Sequence, residues 1–364
     1  MKIFFRRIHL YLSLTAGLVI LIACATGAIL VFEKDLQMAF NKSRYYVEVS
    51  GTLQLSADSL INRVKESYPL AKVNGIKLYD DAKRSAEVSV AFPPEKEAGQ
   101  QAQKNQKSEI SKAAKPVAPQ RQPGFTVFIN PYTGQVLEKY SYRETGFYTV
   151  FALHRWLLGG EGSVGKYIVG FATFIFLFIL VTGIILWWPR TRKILQQRLR
   201  IKWRAGWKRI NHDMHLVFGF YSAIFLFLIA FTGLAWSFEW FNNGIYKVTG
   251  SALKSPPPPK STYVAAAKTI SLDKASAVVR ALYPSYESVS FSLPKDSTEA
   301  VTLTVLPKDA VHESATDAVY LDQYTGTVLG HLEYGDRSLG ARVRSTFKPV
   351  HTGSIWGTPS KIIA

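Results

Sequence analysis

Three stretches of the chain run almost free of charge for the depth of a bilayer core: about Leu10 to Phe32, Val164 to Trp188 and His215 to Phe238. A hydrocarbon layer ~30 Å thick needs roughly 20 apolar residues at the helical rise, so each stretch predicts a membrane-spanning helix. The polar segments between them follow another pattern. Ser56 to Pro69 sets Leu60, Ile61, Val64 and Tyr68 on one face behind a capping serine, which predicts an amphipathic helix. Strand-like runs follow near 72–78, 87–92, 125–130 and 135–140. Asn130-Pro131-Tyr132-Thr133-Gly134 joins the last two with turn chemistry, proline fixing φ and glycine taking the position that needs φ > 0. The second half repeats this order. A helix is expected over 271–284, strands near 288–293 and 300–305, and a matching turn at Tyr320-Leu321-Asp322-Gln323-Tyr324-Thr325-Gly326.

The apolar helices keep the same step. Arg6-Arg7-Ile8-His9-Leu10 is answered by His212-Asp213-Met214-His215-Leu216. His9 lies 17 residues before Thr26-Gly27, His215 lies 17 before Thr232-Gly233, and Phe32-Glu33 matches Phe238-Glu239. Self-similarity at a fixed offset reads as a tandem duplication. The expected fold is an integral membrane α-helical bundle, three full helices plus the start of a fourth, with two small α+β lobes. The parts are a first span over 1–32, a lobe over 33–153, a second span over 154–188 and a basic loop over 189–212. A third span over 213–238, a second lobe over 239–350 and the start of the fourth helix over 351–364 complete the chain. The stretch 95–123 is rich in Gln, Lys, Ala and Pro and has no aromatic residue, so it reads as a mobile insertion in the first lobe. Ser255-Pro256-Pro257-Pro258-Pro259-Lys260 reads as a stiff spacer entering the second.

A net charge of +18 suits nucleic acid in principle, but its placement argues against that partner. Residues 189–212 carry nine Lys or Arg and no acid, and Lys2, Arg6 and Arg7 flank the first apolar helix. That is the positive-inside pattern, which puts the N-terminus and the loop in the cytoplasm and both large polar segments on the far side of the membrane. Leu199, Trp203, Trp207 and Ile210 share a helical face, so the loop is expected to lie on the anionic leaflet; stop-transfer charge explains it equally well. The single cysteine, Cys24, excludes a disulfide framework. Leu21-Ile22-Ala23-Cys24 resembles a lipoprotein cleavage site, yet the apolar run continues to Phe32, which favours an uncleaved helix.

Histidine supplies the candidate chemistry. His9 and His215 fall at the cytoplasmic ends of their helices. His154 and His351 each follow a lobe and open the return helix, on the outer side. The four therefore form two layers, each with one residue from each copy. A lone histidine at a helix end is more often an interfacial polar residue; four in register point to ligation. Two neutral imidazoles can fill both axial positions of a haem iron. Arg6, Arg7, Arg155 and Arg190 stand where haem propionates would want cations. Zinc, which usually takes three or four clustered ligands, fits less well. His212 shares a helix face with His215, so either could be the ligand; His215 is the one that aligns with His9. His312 and His331 have no counterparts and read as solvated surface residues. Glu33 and Glu239 match each other at helix ends, where they serve substrate or protons, or simply solvate the helix. Gly159-Gly160-Glu161-Gly162 is no dinucleotide fingerprint, so electrons would have to come from a separate donor.

RRIHLYLSLTAG, the two YTG turns, LHRWLLGG, TGIILWWPR, HDMHLVFGFYS, TGLAWSFEW and HTGSIWG together resemble the PepSY-associated transmembrane family of iron-regulated and iron-uptake membrane proteins, over nearly the whole chain. The resemblance implies b-type haems between four helices beneath periplasmic PepSY lobes. It also implies reduction of a ferric siderophore or other ferric chelate during iron uptake, with electrons from quinol or a cytoplasmic reductase. It would assign His9 and His215 to an inner haem b, and His154 and His351 to an outer one. The missing remainder of the fourth helix is expected to weaken the outer site and leave at most one tightly bound haem. The alternative class is a non-enzymatic, membrane-anchored PepSY module that regulates a periplasmic partner such as a protease. A transporter is the weakest option, since the helices carry no intramembrane acid.

Overall fold

The computed structural model describes residues 2–51, 53–93, 124–253, 255–264 and 267–363. The insertion expected at 95–123 lies outside the described residues. The first half runs α1 (Lys2–Val31), α2 (Glu33–Phe40), α3 (Lys42–Tyr45), α4 (Ala57–Ser67), β1 (Lys72–Tyr79), β2 (Ala86–Ala91), β3 (Gly124–Ile129), β4 (Val136–Tyr140), α5 (Gly146–Trp156) and α6 (Val164–Trp187). The second runs α7 (Arg192–Arg198), α8 (Trp207–Ser237), α9 (Glu239–Val248), α10 (Leu272–Leu282), β5 (Tyr286–Ser292), β6 (Val301–Pro307), β7 (Asp317–Leu321), β8 (Val328–Leu332), α11 (Leu339–His351) and α12 (Thr358–Ile363). Of the described helices, α1, α6 and α8 are long and apolar enough to cross a membrane.

Three expected boundaries move. The single helix expected over 154–188 is two elements. α5 ends at Leu157, which is left-handed (φ 50°), as is Leu158 (φ 68°), and the chain reverses before α6 begins at Val164. The first turn of α6 packs so closely on the end of α5 that a Cβ at Gly165 would sit 2.0 Å from the Trp156 carbonyl oxygen, so only glycine fits there. In the second half α11 likewise ends at His351 and α12 starts at Thr358, so His351 closes one helix rather than opening the next. The third span begins at Trp207 instead of 213, because buried Asp213 accepts from the Lys202 backbone N–H at 3.2 Å and pairs with Arg209 at 2.9 Å. Arg198 donates to the Leu186 carbonyl at 3.0 Å and also to that of Trp187, placing positive charge at the C-terminus of α6, where the helix dipole favours it.

The expectation of two separate lobes needs a larger correction. Their strands form one eight-stranded antiparallel sheet in the order β4-β3-β2-β1-β5-β6-β7-β8. Each half alone would leave an unpaired inner edge; pairing β1 with β5 removes both. Ile76 pairs with Phe291 at the seam, and these residues sit at the same place in the two halves, so the junction is pseudo-symmetric. A Cβ at neighbouring Gly75 would lie 2.2 Å from the Phe291 carbonyl oxygen, which reserves that position for glycine. The joined sheet gives α4 and α10 one shared core: Leu60, Ile61 and Val64 from one helix and Leu272, Ala275 and Val279 from the other cover Ile76, Val88, Phe291 and Leu303. Full burial of such aliphatic or aromatic side chains stabilises the fold by about 1.5–3 kcal/mol each. Ser56 and Ser271 cap the two helices through the backbone N–H groups of Ser59 and Lys274. Both predicted turns form, with Gly134 at φ 71° and Gly326 at φ 75°.

Candidate functional site

The two histidine layers assemble. The ring centres of His9 and His215 stand 6.3 Å apart with planes crossed at 64°, and those of His154 and His351 stand 6.2 Å apart at 63°. The first pair lies far from the sheet and is called distal here; the second, nearer the sheet, is proximal.

Three of the four rings share one kind of socket. His9 Nδ1 lies 3.1 Å from the Ile179 carbonyl oxygen and 3.1 Å from Thr182 Oγ1 on α6. His154 Nδ1 lies 3.0 Å from the Ala23 carbonyl and 3.1 Å from Thr26 Oγ1 on α1. His351 Nδ1 lies 2.9 Å from the Ile229 carbonyl and 3.3 Å from Thr232 Oγ1 on α8. The next residue in each case is glycine. A Cβ on Gly183, Gly27 or Gly233 would come within 3.3, 3.2 or 3.1 Å of the seated imidazole's Cε1. The Thr-Gly pairs are therefore imidazole seats, in which glycine opens the notch and threonine supplies an acceptor.

The seat also fixes the tautomer. A carbonyl oxygen only accepts, so Nδ1 must carry the proton and donate it. Each threonine hydroxyl spends its own hydrogen on a carbonyl one turn back in its helix, as Thr26 does to Ile22 at 2.6 Å, Thr182 to Phe178 at 2.7 Å and Thr232 to Leu228 at 2.8 Å. That leaves Nε2 with its lone pair and, among the described residues, no hydrogen-bond partner. Histidines that ligate metals typically present this state: one nitrogen donating to a carbonyl, the other free to bind.

The spacing between partners agrees with that role. An axial imidazole nitrogen lies about 2.0 Å from iron, so a linear N–Fe–N arrangement sets two ring centres about 6.3 Å apart. Two imidazoles with ring centres this far apart would suit an iron whose other four positions a haem would fill. The residues present fit the group. Two buried indoles, Trp156 just past His154 and Trp187 a turn past Thr182, have Nε1 atoms with no partner among the described residues.

The remaining candidates separate. His212 is exposed and lies beside Asp213 at 3.7 Å, so His215 alone faces His9. Arg155 stacks over Phe151 and Trp156, each at 5.8 Å, beside the proximal pair. Arg6, Arg7 and Arg190 are exposed and have no side-chain partner among the described residues. The proximal pair is carried by α5 and α11 and seated on α1 and α8, all of them present. It is distal His215 that has no carbonyl–threonine seat among the described residues. His312 is not a surface residue: it is buried, its Nε2 lies 3.1 Å from Tyr334 Oη, and burial pushes its imidazole below the usual range. His331 is exposed as expected, though it lies 2.6 Å from Tyr283 Oη.

Sequence reasoning missed Arg344. Its guanidinium lies 4.9 Å over Trp236 and bonds Asn242 Oδ1 at 2.7 Å, while the Trp236 ring is 5.3 Å from His351. The signal was present: Arg344, Phe347, Lys348 and His351 follow helical spacing on α11. A chamber of about 380 Å³ between the sheet and the ends of α1 and α11 was also not foreseen. Leu30, Glu33, Gln37, Tyr140, Lys348 and Thr352 are among its walls, and the last directly follows His351.

A sequence profile for the family described as the PepSY-associated TM region matches residues 6–364. No curated protein matches the chain significantly.

Proposed function

The chain belongs to the PepSY-associated TM region family, and on that footing we propose that it is a haem-carrying inner-membrane reductase that delivers electrons to a ferric chelate in the periplasm. The observation that carries this reading is the pair of neighbouring imidazoles repeated in two layers, with ring centres 6.3 and 6.2 Å apart, which would hold a haem iron between them. A tandem duplication accounts for the repetition, and the positive-inside charge orients the distal layer to the cytoplasm.

Haem bound at each pair would supply a one-electron couple on each side of the membrane. The protein's own contribution is placement. His154 touches Ala23 and Thr26, which lie 14 and 17 residues beyond His9 on α1, so the layers stand roughly 21–26 Å apart. The Thr-Gly seats fix the rotation of His9, His154 and His351 and leave their Nε2 atoms deprotonated. The proximal layer adjoins the chamber beneath the sheet, where a chelate would receive its electron. The donor would be quinol or a cytoplasmic reductase.

The test is the absorption spectrum of the full chain purified from haem-replete cells. A red protein with a low-spin bis-imidazole Soret band and a split α-band is expected, with each band set lost on replacing the histidines of one layer. A colourless protein would sink the reading and favour a membrane-anchored binding module.

A further inference from the structure

The chamber beneath the sheet contains a carboxyl whose setting differs sharply from that of its repeat. Glu33 and Glu239 occupy matching positions, each at the start of a short helix after a long one. Glu239 is exposed, with no hydrogen bond or ion pair to its carboxylate among the described residues. Glu33 is half-buried in the chamber wall. Its Oε1 accepts from Gln37 Nε2 at 2.7 Å and its Oε2 from Tyr142 Oη at 3.3 Å. Gln37, itself buried, cannot turn round, because its amide oxygen already accepts from Tyr45 and Tyr140 hydroxyls, each at 3.1 Å. The second half has Asn243, Ser251 and Leu332 where the first has Gln37, Tyr45 and Tyr140, so this relay was built once.

The charges around the chamber are balanced. Glu33, Glu87 and Glu313 line it together with Lys34, Lys348 and Lys361. Glu87 is already engaged by Tyr79 at 2.5 Å and Arg84 at 3.6 Å, Glu313 accepts from Ser354 at 3.0 Å, and Lys361 pairs with Asp35 at 2.6 Å. Glu33 faces Tyr142 and, across from α11, Lys348. A proton placed on Glu33 would leave the lining with one excess positive charge.

We propose that this chamber binds a compact, oxygen-rich anion of the metal hydroxycarboxylate class, and that Glu33 takes up one proton from solvent as the anion enters. The volume of about 380 Å³ is at the small end for ligand pockets, and the walls offer hydroxyls, amides and ammonium groups, which suit a small multidentate chelate. Burial raises the Glu33 carboxyl above its ordinary range; the hydrogen bonds from Tyr142 and Gln37 and the charge of Lys348 offset this only in part. The setting therefore favours the protonated form more than solvent does, and an arriving anion favours it further. The assignment of substrate class rests on the reductase reading; the proton-linked anion site does not.

The experiment is calorimetric titration of the full chain with gallium(III) citrate, which is redox-inert, in two buffers of different ionisation enthalpy. It is run on protein from haem-replete and from haem-starved cells. Uptake of one proton is expected, with affinity falling about tenfold per pH unit above the Glu33 titration. Glu33→Gln, which mimics the protonated acid, should bind without proton uptake and with a flat pH profile. Tyr142→Phe, which removes a donor to the carboxylate, should carry binding to higher pH. Glu239→Gln should leave the profile unchanged. Binding with no proton exchange, or with the same exchange in Glu33→Gln, would overturn the role of Glu33. Free citrate binding as tightly as its gallium complex would overturn the chelate class. Absence of haem from every preparation would remove the reductase reading and leave this titration standing.

Discussion

The distal and proximal histidine pairs open to nearly the same width, 6.3 and 6.2 Å, with planes crossed at 64° and 63°, yet they are not held alike. Both proximal rings sit in Thr-Gly seats on neighbouring helices; in the distal pair only His9 does. Equal geometry with unequal support separates two contributions. The spacing of the helices sets the gap between the imidazoles, and the seats decide how firmly each nitrogen is held there. Substitutions aimed at one layer should therefore leave the other as an internal control.

Removal of a ligand should have the largest effect. His154→Ala or His351→Ala should lower the haem-to-protein ratio by about half and abolish the proximal low-spin signal, while His9→Ala should do the same to the distal one. His212→Ala should leave both signals in place; loss of the distal signal in that variant would show that the choice of His215 is wrong. Haemochrome assay together with paramagnetic resonance resolves these outcomes.

Closing the notch should come next. Gly27→Ala and Gly233→Ala each bring a Cβ to within 3.2 Å of a proximal ring, and Gly183→Ala does the same at 3.3 Å to distal His9. The ring must yield by a few tenths of an ångström, which costs of order 0.5–1.5 kcal/mol if its rotamer is strained. Loss of haem to an acceptor protein should become about 2–10-fold faster, confined to the layer touched. Equal acceleration in both layers would mean general loosening of the bundle instead.

Thr26→Val, Thr182→Val and Thr232→Val should each cost about 1 kcal/mol, since the carbonyl acceptor remains, and Thr→Ser should restore it. On warming, the distal layer should lose its signal first because His215 has no seat to lose. If the proximal layer failed first, the seats would not be what governs retention.

Much of this frame was legible in the sequence. Long uncharged runs identify the spans, the strand-like runs identify β1 to β6 but not β7 and β8, proline and glycine chemistry and its repeat identify both turns, and the 17-residue step from His9 to Thr26-Gly27 identifies the matched helices. What escaped depends on non-local contact. The continuous hydropathy of Leu157 and Leu158 gives no sign that both become left-handed and end a helix. The sheet seam is set by Ile76 meeting Phe291 across more than half the chain. Glu33 and Glu239 look alike in sequence, and what sets Glu33 apart is the bonds from Gln37 and Tyr142, with Tyr140 holding Gln37 in place. The Thr-Gly pairs were visible as a repeated spacing, but their pairing with histidines on other helices was not.

The smallest expected effect concerns the two matched turns. Asn130 Oδ1 accepts from the Tyr132 and Thr133 backbone N–H groups at 2.8 and 3.3 Å; Asp322 Oδ1 accepts from those of Tyr324 and Thr325, both at 2.9 Å. The geometry is shared, but only the second turn can titrate. Burial alone would raise the Asp322 carboxyl, but the N–H groups of Thr325, Tyr324 and Thr262 more than reverse this and hold it below the ordinary carboxylate range. A depressed acid stabilises the fold fully above its unfolded value, and that stabilisation disappears as pH falls through the folded value. Amide exchange in β7 and β8 should therefore accelerate in acid, while β3 and β4, joined through Asn130, should show no corresponding transition. Asp322→Asn should abolish the transition and make the second turn behave like the first. Persistence of the acid response in that variant would show that Asp322 does not carry it.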